Sequence, residues 1–159
     1  MSMAEIAADL RSAVSAAIPR LVAMPEEKAR KPVATGKWSP QEIIGHLVDS
    51  ASNNHGRFVR AQLTDDLFFS GYDQEAWVRL QEYSTSSWQE LITLWGAFNG
   101  HIAHLVERIP DDVGTQARAR HNLHEIAWKT VPTDKPATLE YFVRDYVAHM
   151  KHHLAQIPF

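Results

Sequence analysis

Ser39-Pro40-Gln41-Glu42-Ile43-Ile44-Gly45-His46-Leu47-Val48-Asp49 is the stretch from which the fold is read. Its first four residues spell a capping box. The Ser39 hydroxyl can accept from an early backbone N–H, and the Glu42 carboxylate can reach back to the start of the helix. Pro40 takes the first helical position, where its missing N–H is no loss. Trp38 before the cap and Ile43 after it are spaced as a hydrophobic staple. Beyond the cap, Ile43, Ile44, Leu47, Ala51 and Phe58 fall on one side of a helix expected to run to about Leu63.

Toward the N-terminus, residues 25–37 (PEEKARKPVATGK) are rich in proline, glycine and charge and read as a loop. Before them, Ile6, Leu10, Ala13, Ala17 and Leu21 repeat at helical spacing between about Ala4 and Met24. Pro19 is expected to kink that helix. Toward the C-terminus, residues 64–84 make a long connection containing Gly71, Phe68, Phe69, Tyr72, Trp77 and Tyr83. A short helix is expected near Asp73 to Gln81, and a connection this apolar should pack across the bundle. Ser87-Trp88-Gln89-Glu90 is a second capping box. It opens a third helix whose inner face is expected to carry Leu91, Trp95, Phe98, Ile102, Leu105 and Ile109, ending at Pro110 and Asp111. Residues 112–137 show no sustained period. The last helix should start near Thr138 and run to about Ile157, with Leu139, Phe142, Tyr146, Met150 and Ile157 inward. Four long amphipathic segments and no convincing strand predict an all-α four-helix bundle with a long crossover connection between helices two and three. One domain is expected to fill residues 1–159.

Composition narrows the chemistry. The chain contains no cysteine, which excludes disulfides, thiolate metal sites, iron–sulfur clusters and a cysteine nucleophile. Any metal must take nitrogen or oxygen ligands, and any thiol must come from outside. The net charge of −3 and scattered Lys and Arg give no nucleic-acid footprint. No apolar run is long enough for a membrane span, and the first ten residues lack the basic and apolar blocks of a signal peptide. A cytoplasmic location is the resulting expectation.

The nine histidines are the excess that calls for an explanation. His149 and His153 are four apart, so their rings point the same way on a helix. They share the arc of Phe142, Tyr146 and Ile157, which turns them toward the bundle interior. Two readings stay open on these grounds: a shared metal ion, or a hydrogen-bonded structural pair. His46 lies beside the apolar stripe of its helix, on a strip that also carries Glu42, Ser50 and Asn53; alone it reads as a boundary residue. His101 and His104 read as surface or boundary residues. His124-Glu125 begins like a zinc-protease motif, but Trp128 stands where the second histidine would be. His55 is a weak ligand candidate, and His152 points away from the His149/His153 side.

Trp38-Ser39-Pro40-Gln41-Glu42-Ile43-Ile44-Gly45-His46-Leu47-Val48-Asp49 resembles the start of the second helix in DinB/YfiT-like proteins. Tyr146-Val147-Ala148-His149-Met150-Lys151-His152-His153-Leu154-Ala155-Gln156-Ile157 resembles that family's last helix. Tyr72-Asp73, Trp77 and Tyr83 fit the segment between. The resemblance implies a four-helix bundle in which the middle connection crosses over. It implies a divalent metal ion, nickel or zinc, held by His46, His149 and His153 with open positions left for other ligands. Some relatives of this kind transfer a low-molecular-weight thiol such as bacillithiol, mycothiol or glutathione onto an electrophile. The expected partner is therefore a small-molecule substrate, with a thiol as one option and a homodimer as one option for assembly. By nearness in sequence, Asp49 or Glu42 is expected to orient an imidazole, with Glu42 also claimed by the helix cap, and helical phase puts Asn53 and Tyr146 at the pocket. Two rival functions remain at this stage: a metal-dependent hydrolase, and a metal- or ligand-binding protein without turnover.

Overall fold

The computed structural model describes residues 1–159. Eight α-helices follow one another: α1 (Met3–Ala23), α2 (Glu26–Ala29), α3 (Pro40–Arg60), α4 (Gln74–Gln81), α5 (Trp88–Glu107), α6 (Asp111–Thr115), α7 (Leu123–Ile126) and α8 (Leu139–Leu154). A single 3-10 turn, Tyr83–Thr85, precedes α5. The long helices α1, α3, α5 and α8 form the bundle. Both α5 and α8 pack on α1 and on α3. The consecutive helices α1 and α3 therefore lie across a diagonal rather than side by side. No helix is long and apolar enough to cross a membrane.

Local chemistry explains where the helices begin. The Ser39 hydroxyl accepts from the Glu42 N–H at 3.2 Å, and the Glu42 carboxylate accepts from the Ser39 N–H at 3.1 Å. Ser2 and Glu5 make the same reciprocal box at the head of α1. At α5 only half of the expected box forms: Ser87 accepts from Glu90. Asp73 caps α4 through the Ala76 N–H at 3.0 Å. α1 continues past Pro19 to Ala23, and the Trp88 indole N–H takes the Leu21 carbonyl at 3.1 Å near its end. The 25–37 stretch holds one helical turn, α2, where a pure loop was expected. Ion pairs between Arg30 and Glu26 and between Lys31 and Glu27 lie at the favourable i,i+4 spacing, and Ala29 is fully buried beneath the turn.

One apolar cluster fills the bundle and includes all five residues expected inward on α3. On α5 the buried stripe is turned from its expected course. Phe98 and Leu105 are half-buried, whereas Ile92, Asn99, Ala103 and Val106 are buried. A helix packed on two neighbours needs a wide inner face, and Asn99 can enter it because its side-chain oxygen accepts from the Tyr146 hydroxyl.

The 108–138 stretch is held by buried polar anchors. Arg118 donates to the Ala61 carbonyl at 2.6 Å, just past the end of α3. The Asn122 side chain pairs with both backbone groups of Phe69 at 3.1 and 2.8 Å. The ring of His121 accepts from the Leu123 N–H at 3.2 Å and donates to the Lys135 carbonyl at 2.7 Å. Asp145 on α8 accepts from the N–H groups of Trp128 and Lys129 at 2.8 and 2.9 Å. These bonds seat residues 121–129 against α8 and the 61–73 connection.

Candidate metal centre

His46 sits on the second turn of α3 and is fully buried. His149 and His153 lie one turn apart near the end of α8 and are half-buried. The Nε2 atoms of His46 and His149 stand 3.3 Å apart. One nitrogen from each of the three rings can be chosen so that all lie within 4.8 Å of one another. The ring centroids are 4.5 to 5.2 Å apart. Trp38 lies 4.9 Å from the His46 ring, covering this end of the cluster, and Trp128 lies 6.1 Å from the His149 ring.

Burial pushes the imidazoles of His46 and His149 down to about 3, with neighbouring histidines adding to the effect. His153 is also lowered, mainly by burial, while its bond to Gln156 acts the other way. His46 and His149 are thus neutral well below physiological pH, and His153 is shifted in the same direction, toward the state in which imidazole ligates a metal. The Gln156 side-chain oxygen lies 3.0 Å from Nδ1 of His153. The buried Nδ1 of His46 has no hydrogen-bond partner.

This donor set fits a divalent ion. Metal–imidazole bonds of about 2.0–2.1 Å place ligand nitrogens about 3–4 Å apart, and the His46–His149 separation falls in that range. No carboxylate joins the cluster, so the three residues form a neutral set that leaves positions open for other ligands.

A cavity of about 430 Å³ opens beside the cluster, with His149 in its wall. Tyr146 also lines it, from a buried position. Asp49 and Asn53 are placed otherwise. The Asp49 carboxylate, expected at the His46 imidazole, accepts instead from the Tyr83 hydroxyl and from Gln81 at 2.8 Å. Burial raises its pKa against both bonds. Asn53 is half-buried and donates to the Asp49 backbone carbonyl at 2.9 Å, and it takes no part in the cavity wall. Glu42 serves the helix cap. Tyr83 packs closely against Gly45, where a side-chain methyl would overlap its ring.

The remaining histidines lie outside the cluster. His101 and His104 are exposed on α5, and His55 meets Phe98 and His101 at the half-buried seam of α3 and α5. His124 is exposed beside Glu125. His152 points outward and lies 4.9 Å from the Trp128 ring. Three residues at the cluster escaped the sequence reading: Gln156, Trp128 and the ring of Trp38 in its covering position. Gln156 lies three residues after His153, a helical spacing that could have drawn attention to it. Trp128 arrives through the tertiary fold alone.

The family model of the DinB superfamily matches residues 9–157. The chain belongs to the DinB superfamily. YfiT of Bacillus subtilis (strain 168) is 25% identical over 153 residues, which cover 96% of this chain and 76% of that relative. The solved structure of Bacillus subtilis YfiT is described as "a probable metal-dependent hydrolase with an unusual four-helix bundle topology". It superposes with a TM-score of 0.68 at 24% identity, covering 98% of this chain and 79% of that chain. The likeness supports the fold of this DinB-superfamily member, whose α1 and α3 stand diagonally opposed.

Proposed function

We propose that this protein is a divalent-metal enzyme that hydrolyses a small molecule held in the cavity beside His149. The observation that carries the reading is the convergence of His46, His149 and His153 into one cluster beside the cavity, with His149 in the cavity wall. The description of the Bacillus subtilis relative supports hydrolysis in particular. His46, His149 and His153 would hold the divalent ion, nickel or zinc as the family resemblance implies, and it would supply Lewis acidity and lower the pKa of a nucleophile bound beside it.

The chain's own groups do the remaining work. His46 and His149 stay unprotonated because burial disfavours their charged forms. Gln156 fixes the proton of His153 on Nδ1 and leaves Nε2 available. Trp38 shields the cluster on one side. Asp145 holds the backbone of residues 128–129 in place as part of the cavity rim.

A second reading is transfer of a low-molecular-weight thiol onto an electrophile. One observation favours it: both oxygens of Asp145 and Oδ1 of Asp49 accept bonds from other groups, and neither carboxylate joins the histidine cluster. No uncommitted carboxylate stands in the cluster as a general base. A thiol, with a pKa of about 8.5 against about 15.7 for water, gives up its proton with less help.

The test is a cobalt-loaded protein offered esters, amides and other electrophiles, each with and without a panel of cellular thiols. Hydrolysis without thiol and without a sulfur-to-metal absorption band is the expected outcome. Turnover that requires a thiol and brings such a band selects the transferase. Metal binding with neither reaction leaves a binding protein without turnover.

A further inference from the structure

Arg57 stands in the wall of the same cavity and is only 4% exposed. A guanidinium taken out of water is expensive unless an anion meets it. None does here: no carboxylate approaches Arg57 within ion-pair distance. Its bonds go to neutral groups, the Asn54 side-chain oxygen at 3.3 Å and the Ser70 carbonyl at 2.6 Å. A guanidinium has five N–H donors, so these two bonds leave capacity for an oxyanion. The Tyr72 ring, 5.9 Å from the guanidinium carbon, forms the adjoining wall.

The acidic residues of the cavity do not serve as its counter-ion. Asp145 is turned to the Trp128 and Lys129 N–H groups, Asp73 caps α4, and Glu125 lies beside His124. Arg57 is the only lysine or arginine in the cavity lining. Along α3, residues 46, 50, 54 and 57 follow one another at helical spacing. About 16 Å of helix axis separates His46 from Arg57, and Ser50 and Asn54 line the cavity between them.

We infer that the cavity takes a small molecule with an oxyanion group, a carboxylate or a phosphate, which Arg57 binds while the rest of the molecule extends toward His149. This names the substrate class of the proposed enzyme and rests on that reading only for the reacting end; the anion subsite stands on Arg57 alone.

The test uses the full chain freed of metal by a chelator. Calorimetric titration compares carboxylates of two to eight carbons, inorganic phosphate and neutral succinamide. At least one oxyanion should bind, and succinamide should not. Arg57→Gln should weaken that binding at least tenfold. Asn54→Asp supplies the missing counter-charge next to Arg57 at the cost of the Asn54 bond to the Ser50 carbonyl, so it should abolish oxyanion binding. This second variant decides the matter if Arg57→Gln does not fold. Binding of carboxylates alone or of phosphate alone identifies the source of the oxyanion. The inference is overturned if no oxyanion binds, or if binding survives within threefold in the folded variants. Metal content, counted separately on the same proteins, reports on the histidine cluster, so failure of one site is distinguishable from failure of the other.

Discussion

Gln156 and His153 are joined by a hydrogen bond of 3.0 Å between the amide oxygen and Nδ1. An amide oxygen can only accept, so the His153 proton must sit on Nδ1 and the lone pair on Nε2. Partners of this kind orient ligating imidazoles, and their loss typically lowers metal affinity about 10–100-fold. Gln156→Ala should weaken the proposed metal binding by that amount in a competition titration. The side chain is exposed, so thermal stability of the metal-free protein should barely change. Unaltered affinity would remove Gln156 from the centre.

The ligand assignment makes a direct forecast. Freshly purified protein should carry about one divalent ion per chain, in line with a single three-histidine cluster. His149→Ala and His153→Ala should each lose it by elemental analysis, with helical content retained because the apolar faces carry the bundle. Stoichiometric metal in the double variant would refute the assignment.

The lowered imidazole pKa values of His46 and His149 set a pH dependence for the metal-free protein. Both are held near 3 by burial and by neighbouring histidines, against an ordinary value of 6.5. Below about 6.5 the unfolded chain takes up protons that the folded chain refuses. Folding stability should therefore fall steadily as pH drops from about 6.5 toward 3. Denaturant melts in chelator across that range check this. His46→Gln should flatten part of the slope, and a slope unchanged in that variant would show that other groups cause it.

Gly45 lies under the Tyr83 ring, where an added methyl overlaps ring atoms. In an open helix Gly→Ala would stabilise by about 1 kcal/mol. Here Gly45→Ala should destabilise by about 1–3 kcal/mol through overpacking, read as a lower denaturant midpoint. It should also loosen the Tyr83–Asp49 bond, because the ring must move to admit the methyl.

Where a residue's role is decided by its near neighbours in the chain, the sequence showed it. The Ser39–Glu42 box, the short helix near Asp73 and the i,i+4 pair His149/His153 are all local patterns, and each lies where its spacing placed it. The Ser2–Glu5 box is a local pattern of the same kind. Residues 112–137 gave nothing because their order comes from buried polar side chains. Arg118, His121 and Asn122 bond to backbone groups of Ala61, Lys135 and Phe69, and such pairings leave no hydrophobic period. Arg57 was hidden for a related reason: an arginine on a helix ordinarily reads as solvated, and only the cavity around it shows otherwise. Asp49 had the right position for a partner of His46, but the crossover connection brought Tyr83 and Gln81 to it instead.

The placing of two indoles gives the protein a built-in optical reporter. Of the five tryptophans, Trp38 and Trp128 lie beside the histidine cluster, at 4.9 Å from His46 and 6.1 Å from His149. Trp95 is enclosed in the core. Excited indoles lose energy readily to a paramagnetic ion at such range. Trp38→Phe and Trp128→Phe would divide the emission into a signal from beneath the cluster and one from the cavity rim. Arrival of an ion and arrival of a substrate would then be seen separately, by light alone and without a label.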